Sequence, residues 1–200
     1  MDQDFEQRFT AIFQREEQFA HTLATSVIQK PKLSVWMFLV PILFIYHANH
    51  IKRYKNNLAN FQQGFTRTKL HALNLAREEL VRGEKKEERE MDLFADYDVD
   101  GPNVQEVRNR QMEEIRLLIK HYRSLLRSSG RDYPELVRSA YKTKNEYKKF
   151  LNKLNQAEKE VNKAALHAFH DSDDSRKVVS EMEKQASILR NQEAGSIFSS

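Results

Sequence analysis

The sequence predicts an all-α chain, with long amphipathic helices in a bundle or coiled-coil-like arrangement and one short hydrophobic membrane-inserted segment. Three observations carry that expectation. Gly and Pro number 5 and 4 in 200 residues while 31% of the chain is charged, which suits long helices and leaves too few turn formers for a sandwich or barrel. Apolar residues recur at steps of three and four over most of the length. A single uncharged run, "LSVWMFLVPILFIYHA", occupies 33–48.

Taken in order, 1–29 reads as an N-terminal amphipathic helix, with Phe5, Phe9, Ile12, Phe13, Phe19, Ala20, Leu23 and Val27 on one stripe. Pro31 ends it, since proline lacks the donor and disfavours helix in Lys30. Residues 30–55 form the hydrophobic membrane segment, for which Leu33, Trp36, Phe38, Leu39, Pro41, Leu43, Phe44 and Tyr46 are the expected membrane-inserted side chains. A long helical arm comes next, at 56–91. Its seam begins upstream at Ile51 and Tyr54 and runs through Leu58, Phe61 and Phe65 to Ala72, Leu75 and Leu80 in heptad-like steps. Residues 92–103 make an acidic loop ending in the Gly101-Pro102 turn signal.

A helical bundle is expected over 104–193. Its first helix carries Val104, Val107, Met112, Ile115, Leu118, Ile119, Tyr122, Leu125 and Leu126, and "SSG" stops it at Gly130. In "DYPE", Asp132 is placed to cap a new helix with proline in its first turn. Thr143 and Glu146 form a second capping box, opening a helix lined by Tyr147, Phe150, Leu151, Leu154, Ala157, Val161, Ala165 and Ala168. The last helix carries Val178, Val179, Met182, Ala186 and Leu189, and "GSIFSS" within 194–200 reads as a flexible tail.

Sixteen residues of helix reach about 24 Å against a hydrocarbon slab of about 30 Å. Pro41 lies near the midpoint, and basic residues flank both sides: Lys30 and Lys32 before, Lys52, Arg53 and Lys55 after. A re-entrant dip fits these features better than a span. A span would also strand the first helix, whose polar face is mixed in charge, opposite its packing partners. The lipid bilayer is thus the expected partner. A protein partner or second copy is expected through the helical seams, among them Tyr147, Phe150 and Leu154. The alternative is a wholly soluble bundle enclosing 33–48.

Chemistry is harder to find. "DYDVDG" at 96–101 places Asp96, Asp98 and Asp100 before a glycine, as in the first half of an EF-hand loop, where alternate oxygen ligands wrap a calcium ion. The bidentate glutamate is missing from its place. Val107 stands there and Glu106 comes one residue early, so an acidic linker is the plainer reading and a calcium- or metal-responsive regulator the alternative. His47/His50 and His167/His170 have helix-face spacing, yet nothing names further ligands, and no cofactor is expected. Cysteine is absent, which removes disulfides and thiolate sites. The five glycines are too dispersed for a phosphate loop, and neither HExxH nor a nucleophile elbow occurs. The expectation is a non-enzyme. Net charge is +4 with mixed signs, which argues against nucleic acid.

"KPKLSVWMFLVPILFIYH" at 30–47, together with "YPELVRSAY" and "AEKEVNKAAL" within 133–166, resembles a family of uncharacterised bacterial proteins of about this length. The resemblance covers most of the chain. It implies a membrane-associated helical protein and carries over no activity or functional residues. The expected location, with the basic flank after the segment favouring a cytoplasmic C-terminal region, is the inner membrane.

Overall fold

The computed structural model describes residues 3–28, 57–83, 102–169 and 173–199, with backbone alone at 28, 57–64, 169 and 174. All regular structure among the described residues is helical. Five long helices are α1 (Gln3–Ile28), α2 (Asn57–Arg82), α3 (Pro102–Leu126), α5 (Lys144–Phe169) and α6 (Asp173–Ile197), and the short α4 spans Tyr133–Tyr141. Among the described residues, no helix is long and apolar enough to cross a membrane. The expected membrane segment 33–48 lies outside the described residues.

Local sequence accounts for the helix ends that can be seen. The Asp132 carboxylate accepts from the Glu135 amide at 2.9 Å, and the Glu135 carboxylate accepts in return from the Arg131 amide at 2.8 Å. Thr143 accepts from the Glu146 amide at 3.2 Å. The Asp132 and Thr143 contacts satisfy donors that the first helical turn leaves without an intrahelical partner, and the Arg131 contact ties down the residue before the cap. Between these two starts, Lys142 adopts a positive φ of 58°, letting α4 turn directly into α5.

The long helices pack side by side in a closed ring, in the order α1, α2, α3, α5, α6 and back to α1. Cross-contacts set their directions. Glu6 meets Arg77 at 2.8 Å and Phe19 stacks on Phe65 with centroids 6.0 Å apart, so α1 and α2 are antiparallel. The C-terminal end of α1 and the N-terminal end of α2 therefore lie at the same end of the ring. Lys69 faces Glu114 and Glu79 meets Arg123, so α2 and α3 run parallel. His121 stacks on Phe150 and Val107 clusters with Val161, making α3 and α5 antiparallel.

The stripes read from the sequence fill the ring. Ile12, Leu73, Ile115, Leu118, Tyr122, Leu125, Leu136 and Tyr147 are among the fully buried side chains. Two expectations change. Tyr147, Phe150 and Leu154, offered by the sequence as a free seam, are all buried inside the ring. The tail expected to be loose continues α6 as far as Ile197, with Ala194 and Ile197 buried and Phe198 packed against the core. An Arg138 guanidinium nitrogen donating to the Ile197 carbonyl at 2.9 Å holds that end down.

Two glycines with positive φ differ in their surroundings. At Gly130 (φ +153°) a Cβ would lie 2.8 Å from Glu135 Cβ and 2.9 Å from the Leu136 nitrogen, whereas at Gly83 (φ +70°) it would meet nothing within 4 Å. Gly130→Ala is expected to cost about 2–3 kcal/mol of stability, because strain and clash combine, and Gly83→Ala about 1 kcal/mol. Denaturant midpoints of the two variants check this; equal losses would show that the turn before α4 has room to give.

Candidate functional site: a charge network inside the helix ring

The interior of the ring is polar along much of one column. Lys69 of α2, Glu114 and Gln111 of α3, Arg190 of α6 and Glu16 of α1 are all buried. Isolated charges in such a place would cost several kcal/mol each, so their presence requires partners.

Glu158 of α5 is the hub. It accepts two 2.7 Å bonds from the Arg190 guanidinium, one on each oxygen, and a 3.0 Å bond from Lys69 Nζ. Arg190 also donates to the Asn155 amide oxygen. Burial alone would raise the Glu158 carboxyl, but Arg190 and Lys69 outweigh it and bring it down to about 2. Glu114 fares differently. Its closest cation contact is Lys69 at 3.9 Å; burial pushes its carboxyl up to about 7 and Lys69 only partly opposes this.

A second cluster adjoins the first. The Arg15 guanidinium donates from Nε to Glu193 at 2.9 Å and from Nη1 to Glu16 at 2.7 Å. It also lies 4.8 Å from the ring centroids of both Phe19 and Tyr133. Arg190 covers Phe19 at 5.2 Å and Lys69 covers Phe65 at 3.8 Å. The stacked pair Phe19–Phe65 therefore gives three cations an aromatic face, a contact worth about 1–2 kcal/mol when desolvated.

Toward the α4 end the network becomes aromatic. The Tyr133 and Tyr147 hydroxyls are 3.0 Å apart, and Tyr147 donates onward to Glu193 at 3.4 Å. Burial raises Tyr133 and Tyr147 well above the usual phenol range, so both stay protonated. His121 Nδ1 lies 2.6 Å from the Tyr141 hydroxyl and its ring stacks 4.0 Å from Phe150. Burial, with the Arg15 charge adding to it, lowers His121 well below the ordinary histidine value, keeping the imidazole neutral. The arrangement holds protons in fixed places.

The residues singled out from the sequence fall elsewhere. Asp96, Asp98 and Asp100 lie outside the described residues. Glu106 is exposed on α3, with Arg110 one turn along at 4.0 Å, and His167 is exposed on α5. Among the described residues, no group of three or more His, Asp or Glu side chains is arranged to hold a metal ion. The buried network itself was missed. Its signal was present: Lys69, Glu114, Glu158 and Arg190 each occupy a stripe position, between Phe65 and Ala72, Gln111 and Leu118, Leu154 and Val161, and Ala186 and Ala194.

With this geometry in hand, comparison with family models, with curated proteins and with solved structures finds no match to the chain. That outcome agrees with resemblance to a helical family of no assigned function.

Removing one partner of a buried pair leaves a charge with no compensation, which costs about 3–5 kcal/mol, whereas an apolar replacement of the whole group is often neutral. Arg190→Met is therefore expected to lower stability by about 3–5 kcal/mol. Replacing Lys69, Glu158 and Arg190 together by Met, Leu and Met should cost less than Arg190→Met alone. Urea unfolding of both variants decides the point, and a triple variant less stable than the single one would contradict it.

Proposed function

We propose that this protein is a non-enzymatic, membrane-anchored helical scaffold or accessory subunit, held to the bilayer by residues 33–48. The observation that carries the proposal is the antiparallel pairing of α1 with α2. The chain leaves the ring at Ile28 and rejoins it at Asn57 on the same end, so an apolar segment between them serves as an anchor only if it enters and leaves one face of the membrane. A single crossing would part α1 from the helix it packs against. The run is about 6 Å too short for a straight span and has proline near its middle, both of which suit a shallow hairpin.

The apolar side of α1 also supports this reading. Ile12, Phe19, Leu23 and Val27 are buried against the ring, so α1 has no greasy face left for the lipid surface and the anchoring falls to 33–48. We place the protein at the inner membrane with the ring on the cytoplasmic side. The partner surface is then the charged exterior. Among the described residues, Val81 and Ile188 are the exposed large apolar side chains, while Lys149, Lys153, Lys159 and Lys163 face solvent along α5. An acidic protein partner fits such a face better than an apolar one. The calcium-responsive alternative draws no support from Glu106, which lies beside Arg110 on its own helix.

The cysteine-free chain allows a direct test. Asp4→Cys and Asn103→Cys are both expected in the membrane fraction, both protected from an impermeant maleimide in intact cells and both labelled after permeabilisation. Labelling of one site alone would establish a single crossing. Recovery of the protein in the aqueous fraction would establish the wholly soluble bundle instead.

A further inference from the structure

Among the described residues, the charges of this network do not balance, and the surplus sits on one residue. Arg15, Lys69 and Arg190 supply three cations to the network, and Glu16, Glu114, Glu158 and Glu193 supply four carboxylates. Arg15 is shared by Glu16 and Glu193. Glu158 takes the whole of Arg190 and the shorter contact of Lys69. Glu114 keeps the long contact to Lys69 at 3.9 Å and feels the Glu158 charge against it.

Groups from every neighbouring helix face this carboxyl. Lys69 comes from α2, Glu158 from α5 and Arg190 from α6. Glu16 of α1 reaches it through Tyr122, whose hydroxyl lies in the field of both Glu16 and Glu114. On α3 itself, His121 is held neutral and brings no fourth cation. One turn before Glu114, Gln111 is wholly buried with neither amide atom hydrogen-bonded. An orphaned carbonyl oxygen in an interior that is one cation short invites a proton on the neighbouring acid.

We infer that Glu114 is a proton switch built into the ring. Neutral, it leaves three cations facing three carboxylates and can donate its proton toward Gln111. Ionised, it adds a charge opposed only by the long Lys69 contact, already committed to Glu158, and loosens the grip of α3 on α2 and α5. Because the folded protein holds this proton to about pH 7 while an unperturbed carboxyl gives it up near 4.5, the stabilisation is complete below about pH 4.5. It is lost as pH climbs to 7, and stability levels off above that. Glu158, held down to about 2, stays ionised throughout, whereas His121, kept neutral by burial, contributes stability that rises with pH through the ordinary histidine range, so the Glu114 change is read against a variant that keeps His121.

The test uses the purified full-length chain. The melting temperature of the parent minus that of Glu114→Gln is expected to fall between pH 5 and pH 7 and then flatten, a difference from which the opposite contribution of His121, common to both proteins, drops out. Amide protection in α3, corrected for intrinsic exchange and taken relative to Glu114→Gln, should drop about tenfold or more over the same interval. Glu114→Gln, which is always neutral, should gain on the parent as pH rises through this interval and melt above it at pH 8. A variant with the parent's pH slope would overturn the inference. Should Glu114→Gln fail to fold, isotope-edited infrared titration of the native carboxyls replaces it: a buried carboxyl titrating near pH 7 supports the switch, and titration of every glutamate below pH 5 refutes it.

Discussion

Glu158 is the point on which the ring depends. One carboxylate on α5 receives a guanidinium from α6 and an ammonium from α2, so three helices that are not all neighbours share a single, mostly buried anion. Dispersion and apolar burial supply most of the free energy of such a bundle, but they are tolerant of sliding. A bidentate contact at 2.7 Å is not. A helix slipped by one turn moves a side chain by about 5.4 Å, enough to leave Arg190 or Lys69 buried without a counter-charge. The network therefore stabilises little on its own account and penalises wrong registers heavily.

Aromatic rings extend that constraint to α1. Phe19 lies under both Arg15 and Arg190, and stacks on Phe65, which in turn lies under Lys69. The cations that fix α2 and α6 are thus also the ones that position α1. Arg15 closes the ring by bridging to Glu193 of α6. The pairing of α1 with α2, on which the reading of the membrane segment rests, is in this way tied to the centre of the molecule rather than to its surface.

Much of this architecture was legible. The apolar steps of three and four located all five long helices, and Asp132 and Thr143 marked starts that the hydrogen bonds reproduce, because capping chemistry is local. What periodicity could not say is which stripe meets which. Tyr147, Phe150 and Leu154 look surplus to one small bundle until five helices close around them. The tail looked loose because serine and glycine are poor helix formers, yet burial of Ala194 and Ile197 overrides a propensity difference of at most about 1 kcal/mol per residue. The charge network escaped for a related reason. A lysine or glutamate on a stripe reads as an interruption, and only tertiary packing shows that four such interruptions meet at one height.

The parallel run of α2 and α3 is the least expected feature, since helices joined in sequence more often pack antiparallel across a short loop. Lys69 cannot select this direction. It sits at the midpoint of α2, and Glu114 at the midpoint of α3, so reversing either helix would keep them face to face. Direction is chosen away from the centre. Arg123 meets Glu79 near the α4 end at 3.1 Å, a half-buried pair worth about 1 kcal/mol at most. The larger part comes from His121 against Phe150 and Tyr141, because only the short connections through α4 bring those rings together. α3 is thus oriented by α4 and α5 after it in the chain, and α2 by α1 before it. Each half of the described bundle, α1 with α2 and α3 with α4 and α5, thus has its directions decided internally.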